Sequence, residues 1–199
     1  MTDTRPYPDT VAGPFPTPPI LFETLDGETI SVEVFDGDRD GLVSMYLDFD
    51  PSERAQGIPP VGEDHIRDWL DKLIGEDCFN VIARHDDVVV GHATLVGDEQ
   101  EGGYELAIFV LHEYQGKGIG TRLLEGVLGH GIDQGVEKVW LTVERWNRPA
   151  IKLYRKVGFE TTNAQSFEHE MSIRLARPTE EAEQLQEAVE TEDQTERTG

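Results

Sequence analysis

A glycine-rich turn between an apolar strand and an apolar helix constrains this chain more than any other feature. Tyr104–Val110 predicts the strand, Gln115-Gly116-Lys117-Gly118-Ile119-Gly120 forms the turn, and leucines and valines at helical spacing follow. Glycines let a ligand approach the backbone closely, and the free N–H groups at the start of a helix favour an anion. Lys117 adds a positive charge beside these N–H groups. The turn therefore predicts a phosphate-bearing ligand, although a turn that serves only close packing stays open.

The apolar patterns on either side of this turn predict one α/β domain. Strands are predicted at 29–35, 79–84, 88–95, 104–110, 138–143, 159–162 and 167–175. Helices are predicted at 40–47 and 63–74, directly after the turn, and from Pro149 to a stop at Gly158. The helix after the turn is expected to end near Gly129 or Gly131, because glycine commonly terminates helices. This order favours a mixed, mostly antiparallel central sheet with helices on both faces.

A second segment, residues 147–159, reads NRPAIKLYRKVGF and predicts a helix with functional side chains. Asn147 and Tyr154 are seven residues apart, about two helical turns, so both lie on one face of that helix. The competing interpretation of Tyr154 is a core aromatic residue whose hydroxyl forms a hydrogen bond inside the protein.

Together, the two segments resemble the GNAT superfamily of N-acetyltransferases, and the element order from about 29 to 175 is similar too. The resemblance implies the acyl-CoA N-acyltransferase fold and transfer of an acetyl group from acetyl-CoA to a primary amine. It also implies that the strand before the glycine turn separates from its neighbour, and that Tyr154 protonates the departing thiolate. The implied cofactor contacts are Phe109, Val110, Leu111, Gln115, Gly116, Lys117, Gly118, Ile119, Gly120, Thr121 and Asn147.

The general base is less well defined. Glu105 opens the strand that leads into the predicted site, and Glu144 ends the strand before Asn147. Either carboxylate is a candidate to accept the amine proton, directly or through water. Relatives that modify protein N-termini often carry a glutamate where this chain has Thr142, so the sequence weakens an N-terminal acetyltransferase interpretation.

Two other functions stay open at this point. A catalytically inactive acyl-CoA-binding or sensing module would keep the glycine turn without needing Tyr154. A dinucleotide-binding protein would use a similar turn and an acidic residue at the end of the next strand, and Glu144 stands roughly at that distance. The effect of Tyr154 on turnover separates the enzyme from the binding module. A comparison of acetyl-CoA with NAD as ligands separates the enzyme from the dinucleotide-binding protein.

The acceptor is expected to be a small-molecule amine or a protein amine, held near the first two predicted helices. Tyr46, Phe49, Ile58, Trp69 and Trp146 are the candidates for an apolar rim. His92, in mid-strand, is expected to be a hydrogen-bonded core residue. No histidine or cysteine pair has the spacing of metal ligands, so no metal site is expected.

The net charge of −23 is the strongest compositional signal. It argues against nucleic acid as a partner, because phosphates would be repelled. The carboxylates are spread along the whole chain, which favours adaptation to high salt (a halophilic protein) over the alternative of steering basic substrates. The chain has no long apolar run and no apolar signal core, so a cytoplasmic location without membrane contact is expected. A homodimer stays open.

Composition also divides the chain. Residues 1–22 are predicted to form an extended arm, since six of the eleven prolines precede residue 20. Residues 23–177 form the predicted acetyltransferase domain. Residues 178–199 are expected to be an acidic tail with too few apolar residues to fold.

Overall fold

The computed structural model describes residues 5–50, 52, 58–98, 102–164 and 167–176. Within this part of the chain there are nine strands and four α-helices. The strands are β1 (Val11–Ala12), β2 (Ile20–Glu23), β3 (Thr29–Val34), β4 (Cys78–His85), β5 (Val88–Gly97), β6 (Tyr104–Val110), β7 (Lys138–Glu144), β8 (Glu160–Ala164) and β9 (Glu168–Leu175). The helices are α1 (Arg39–Leu47), α2 (Glu63–Leu73), α3 (Ile119–Asp133) and α4 (Arg148–Val157). The predicted tail lies outside the described residues.

The described strands form one sheet in the order β1-β9-β7-β6-β5-β4-β3-β2, and β8 also pairs with β9. The β6–β7 and β1–β9 pairs are parallel, and the other pairs are antiparallel. The predicted mixed, mostly antiparallel sheet is therefore confirmed. The two added edge strands, β1 and β2, lie in the proline-rich segment, and the expected boundary at residue 22 falls inside β2.

Alternation along the strands divides the core into two apolar clusters. Val81 and Ala83 of β4 face the cluster formed with α3 and α4, whereas Ile82 faces the cluster formed with α1 and α2. This is the period of two that places successive side chains on opposite faces of a sheet. Helices on both faces are thus confirmed. None of the described helices is long and apolar enough to cross a membrane.

The prediction that α3 ends near Gly129 or Gly131 is wrong, because the helix continues to Asp133 and Gly135 follows in a left-handed conformation. Gly129 lies where the amino-terminal segment crosses the helix, and a Cβ atom there would overlap the carbonyl oxygen of Pro16. Close packing, rather than helix termination, accounts for this glycine.

The amino-terminal segment runs from one edge of the sheet to the other. The hydroxyl of Ser172 on β9 donates to the carbonyl oxygen of Pro6 (3.0 Å), and β1 then pairs with the outer edge of β9. The chain next passes Gly129 of α3 and ends as β2, which pairs with β3 at the far edge. Residues before β3 therefore contribute contacts to both ends of the sheet.

The sheet opens between β6 and β7. These parallel strands pair only at Tyr104 with Val139 and at Glu105 with Trp140, although β6 continues to Val110 and β7 to Glu144. Beyond Glu105, none of the described strands pairs with the edge of β6 that faces β7. This separation creates the cleft described below.

Candidate active site

A cleft of about 580 Å³ occupies the space between the separated strands. Residues 105–110 of β6 form one wall, and residues 142–144 of β7 form the other. The remaining lining comes from the α1–α2 connection, the 3₁₀ turn after β6, and α4 with the two residues before it, namely Phe49, Ser52, Ile58, Gln115, Trp146, Asn147, Pro149 and Tyr154. Two predicted segments that are distant in sequence thus meet at one cavity.

The glycine turn presents backbone N–H groups at the start of α3. Gly116 (φ +73°) and Gly118 (φ +90°) both have left-handed backbones, which residues with side chains adopt only with strain. No described residue accepts a hydrogen bond from the N–H of Gly116, Lys117 or Gly118, and the first N–H groups of a helix have no partner inside it. The turn therefore offers a set of donors with the positive end of the helix dipole behind them.

The side chains of this turn have different environments. Lys117 does not stand free beside the turn, because its Nζ lies 2.8 Å from Glu28 and 3.6 Å from Asp26 in the β2–β3 connection. The hydrogen bond to Glu28 raises the pKa of Lys117. Ile119 is buried in the core, so only its backbone faces the turn, whereas Thr121 is half-buried. The positive charge that sequence reasoning assigned to the ligand is thus already paired with carboxylates.

The end of β6 presents its backbone to the cleft. The N–H of Leu111 donates to Val90 of β5 (3.0 Å), so the N–H of Val110 points the other way, toward the separated strand β7. The side-chain amide of Gln115 donates to the carbonyl oxygen of Val110 (3.1 Å). Leu111 itself is buried in the cluster with α1 and α2 and does not line the cleft. Phe109 and Val110 do line it.

Asn147 and Tyr154 reach the cleft from α4. Asn147 is the N-cap, and its side-chain oxygen accepts from the N–H of Ala150 (3.2 Å). Tyr154 lies two turns later, is buried in the core cluster, and contacts the ring of Phe159 at 5.8 Å between centroids. Burial raises the pKa of the Tyr154 phenol, which stays protonated at neutral pH. Both the core and the functional interpretation of Tyr154 are compatible with this position.

Glu105 and Glu144 lie on opposite walls of the cleft. Their neighbours Leu106 and Val143 face α3 and α4, so alternation places both carboxylates on the face of α1 and α2. Partial burial raises the pKa of Glu105, the charge of Arg5 lowers it and that of Asp98 raises it. The net shift is upward, although Glu105 keeps part of its surface exposed to solvent, so the loss of water at this carboxylate is partial.

Arg5 connects the amino-terminal segment to this wall. Its guanidinium lies 3.5 Å from the centre of the Trp140 ring and forms ion pairs with Asp98 (3.4 Å) and Glu170 (3.3 Å). Sequence reasoning did not identify Arg5, because nothing in a proline-rich segment indicates which distant strand it covers. It also missed Ser52, whose hydroxyl donates to Asp50 (2.6 Å).

The candidate apolar rim divides into two groups. Phe49, Ile58 and Trp146 line the cleft, whereas Tyr46 and Trp69 contact Phe109 from the core side. The side-chain amide of Asn80 donates to Leu73, so its oxygen accepts from His92 Nε2 (2.8 Å) and His92 Nδ1 accepts from the Tyr46 hydroxyl (2.6 Å). Burial lowers the pKa of His92 to about 3, so the expected hydrogen-bonded core histidine is neutral.

His112, on the 3₁₀ turn after β6, is exposed and does not line the cleft. Among the residues that the structure describes, no group of three or more His, Cys, Asp and Glu side chains is arranged to hold a metal ion.

Comparison with known proteins places this geometry in a family. Residues 42–159 match the acetyltransferase (GNAT) family. An uncharacterised N-acetyltransferase of Mycobacterium tuberculosis is 31% identical over 121 residues, which are 55% of this chain and 76% of that protein. The spermidine N(1)-acetyltransferase of Escherichia coli is 28% identical over 124 residues, 61% of this chain and 63% of that protein.

Solved structures share the fold. The GNAT domain of S. lividans PAT has a TM-score of 0.67 at 17% identity, covering 78% of this chain and 96% of that one. The yncA protein of Salmonella typhimurium, solved with its cofactor acetyl-CoA, has a TM-score of 0.61 at 19% identity, covering 74% and 94%. The fold expected from the resemblance is therefore confirmed, and the chain belongs to the acetyltransferase (GNAT) family.

Proposed function

We propose that this protein transfers an acetyl group from acetyl-CoA to a primary amine by direct attack. One observation carries the proposal: the cleft between β6 and β7 is lined by the open edge of β6, by Tyr154 and by two carboxylates. The reaction requires a bound thioester, a general acid and a general base close together, and these three parts of the cleft can supply them. The relatives named above supply the reaction class.

The cofactor contacts follow from the donors around the cleft. The diphosphate of CoA is held by the N–H groups of residues 116–120, with the Thr121 hydroxyl beside them. Phe109, Val110 and the backbone approaching Leu111 run along the pantetheine arm, and Asn147 borders it from α4. Lys117 contributes to the diphosphate site only if it leaves Glu28, since the two are paired at 2.8 Å.

The transfer step balances with residues of this chain. The amine nitrogen bonds to the thioester carbon, and the Val110 N–H stabilises the oxyanion. The C–S bond then breaks, its electrons go to sulphur, and the Tyr154 hydroxyl gives the sulphur its proton. A raised pKa makes the phenol a weak acid, but a thiolate leaving in an apolar cleft is also a stronger base than a solvated thiolate.

Glu105 is the proposed acceptor of the amine proton, directly or through one water. Its raised pKa brings it closer to the range in which a carboxylate base is effective. Glu144, at the end of the opposite wall, is proposed to attract the cationic acceptor to the mouth of the cleft. Two carboxylates on one face favour a positively charged amine, as spermidine is for one relative. A cytoplasmic location stays a prediction, as does any homodimer.

A catalytically inactive acyl-CoA-binding module is the second candidate, because Tyr154 is also an ordinary member of the core cluster. The two functions differ in Tyr154→Phe, measured with acetyl-CoA, a panel of amines and a thiol reagent in high salt. The proposal expects turnover to fall by about 10²-fold or more while the Kd for CoA, measured by calorimetry, hardly changes.

Tyr104→Phe is the matched control, since Tyr104 also borders the core cluster but donates its hydroxyl to Asp77 outside the cleft. Its turnover should equal that of the parent. Parental turnover in Tyr154→Phe would remove the acid role, and absence of turnover in the parent with every amine would favour the binding module.

A further inference from the structure

A second pocket, of about 450 Å³, lies beside α4 and is lined mainly by cations. Its walls are Arg145, Arg148, Ile151, Lys152, Arg155 and His169. Arg148, Lys152 and Arg155 recur at spacings of four and three along α4, so they form one stripe of the helix. The stripe borders β9, where His169 lies opposite Val143 of β7.

This pocket is an electrostatic exception in the chain. The net charge is −23, yet five of the seventeen lysines and arginines fall within residues 145–156, and no carboxylate occurs from 145 to 159. Two cations elsewhere are paired with several carboxylates: Arg84 contacts Glu33, Asp36 and Asp38, and Lys117 contacts Asp26 and Glu28. Positive charge is therefore concentrated locally in a protein whose overall electrostatic potential is negative.

Three of the pocket cations, Arg148, Lys152 and Arg155, lack carboxylate partners within the described part of the chain. Arg148 and Lys152 form no ion pair there, and Arg155 donates only to the Thr161 hydroxyl, at 3.4 Å. In a protein with 40 carboxylates, cations that could pair but do not are available to an external anion.

His169 forms the β9 side of this pocket. Its buried Nδ1 has no hydrogen-bond partner among the described residues, but the same is true of Thr94 Oγ1 and Trp140 Nε1, so this nitrogen does not by itself indicate a ligand. The cations of α4 are the part of the pocket that favours an anion.

The pocket and the glycine turn lie on different sides of α4. Leu153 approaches the start of α3, where its Cδ2 would lie 3.5 Å from a Cβ atom on Gly120, whereas Arg148, Lys152 and Arg155 line the pocket beside β9. Asn147 and Tyr154 line the cleft and not this pocket. The diphosphate site and the cationic pocket are therefore separate.

We propose that this pocket binds a phosphomonoester, with the Arg148 and Arg155 guanidinium groups and the Lys152 ammonium on its oxygens. Arginine forks match the geometry of phosphate, and a dianion suits several cations better than a single carboxylate does. The volume exceeds that of phosphate alone and accommodates a small metabolite attached to it. The proposal does not depend on the acetyl-transfer mechanism.

The phosphate belongs either to the amine acceptor or to a separate effector. Residues 144–149 line both cavities in turn, with Arg145 and Arg148 in the pocket and Glu144, Trp146, Asn147 and Pro149 in the cleft. A molecule with an amine in the cleft and a phosphate in the pocket would lie across this segment. Phosphoethanolamine, ethanolamine and glycerol 3-phosphate are probes that separate the two sources.

The test is calorimetric binding of glycerol 3-phosphate to the full chain, saturated with CoA, at fixed ionic strength. Binding should weaken about tenfold or more in Lys152→Gln/Arg155→Gln, since the double variant removes two donors of charge-assisted hydrogen bonds. Lys156→Gln is the matched control, because Lys156 is on the same helix but outside the pocket. Equal melting temperatures show that the variants are folded.

Kinetics then identify the source of the phosphate. If kcat/KM for phosphoethanolamine exceeds that for ethanolamine and the double variant removes the difference, the phosphate is on the acceptor. If glycerol 3-phosphate binds and changes turnover of ethanolamine, it is an effector. Absence of binding, equal binding to the double variant, or equal competition by sulphate (an adventitious ion only) would each overturn the proposal.

Discussion

Glu105 and Trp140 are the last residues that pair across β6 and β7 before the two strands separate. The guanidinium of Arg5 lies 3.5 Å from the Trp140 ring centre, and its charge lowers the pKa of Glu105 against the opposing effect of burial. The amino-terminal segment is thus linked electrostatically to the carboxylate at the base of the cleft.

Glu105→Gln should lose activity without losing stability. The variant keeps the shape of the side chain but cannot accept a proton, so kcat/KM should fall by about 10²-fold or more. Folding raises the pKa of the Glu105 carboxyl, so the folded state is destabilised relative to the unfolded state when this carboxyl ionises. Because Glu105 is ionised at neutral pH, replacing it with an uncharged glutamine should not lower the free energy of unfolding there. Steady-state kinetics and urea unfolding measure the two effects.

Glu144→Gln is the comparison that separates the two carboxylates. A residue that only attracts the cationic acceptor affects kcat/KM by no more than about tenfold, and less at high salt. A larger loss of kcat/KM in Glu144→Gln than in Glu105→Gln would indicate that Glu144 is the general base and that Glu105 attracts the acceptor.

The pH profile should respond to Arg5. A base must be ionised, so activity is lost as pH falls through the pKa of Glu105, and removing a cation that lowers this pKa moves the loss to higher pH. Arg5→Met should therefore shift the acidic limb of kcat/KM upward, whereas Arg5→Lys should leave it nearly in place. An unchanged limb in Arg5→Met would mean that another group controls it.

Tyr46→Phe should destabilise the fold through His92. The substitution removes the donor to a fully buried Nδ1 at 2.6 Å, and an unpaired buried group costs about 1–3 kcal/mol. Tyr114→Phe removes a hydroxyl from the less buried His85 (3.0 Å) and should cost under about 1 kcal/mol. Equal unfolding free energies for the two variants would show that the buried hydrogen bond to His92 contributes no more to stability than the less buried one to His85.

The salt dependence of stability tests the interpretation of the net charge of −23. If the charge is an adaptation to salt, the free energy of unfolding should rise from low to molar NaCl, because the screening length falls from about 10 Å at 0.1 M to 3 Å at 1 M. Stability that stays constant, together with a kcat/KM for cationic amines that falls with salt, would favour substrate steering instead.

The order of the elements was predictable because the strands and helices from residue 29, apart from the mostly exposed β8, carry their own apolar period. Two features were not, and both involve the first twenty residues. Gly129 looked like a helix end, but it accommodates Pro16, and a sequence pattern does not show which distant segment crosses a helix. Arg5 acts on Glu105 only because the chain returns across β9 and β7.

The site was predictable to the extent that local motifs define it. Asn147 and Tyr154 share a helix face, and helical geometry brings both to the cleft that Gln115 also lines. Lys117 was assigned to the ligand because its neighbours in sequence are glycines, yet its neighbours in space are Asp26 and Glu28. Pairing between distant charges depends on tertiary structure, which spacing alone does not reveal.

A crystal structure of the protein with CoA tests the central claim most directly. The account predicts that the diphosphate accepts hydrogen bonds from the N–H groups of residues 116–120 and that the sulphur lies within hydrogen-bonding distance of the Tyr154 hydroxyl, between β6 and β7. A diphosphate bound away from the glycine turn, or a Tyr154 hydroxyl directed away from the sulphur, would contradict it.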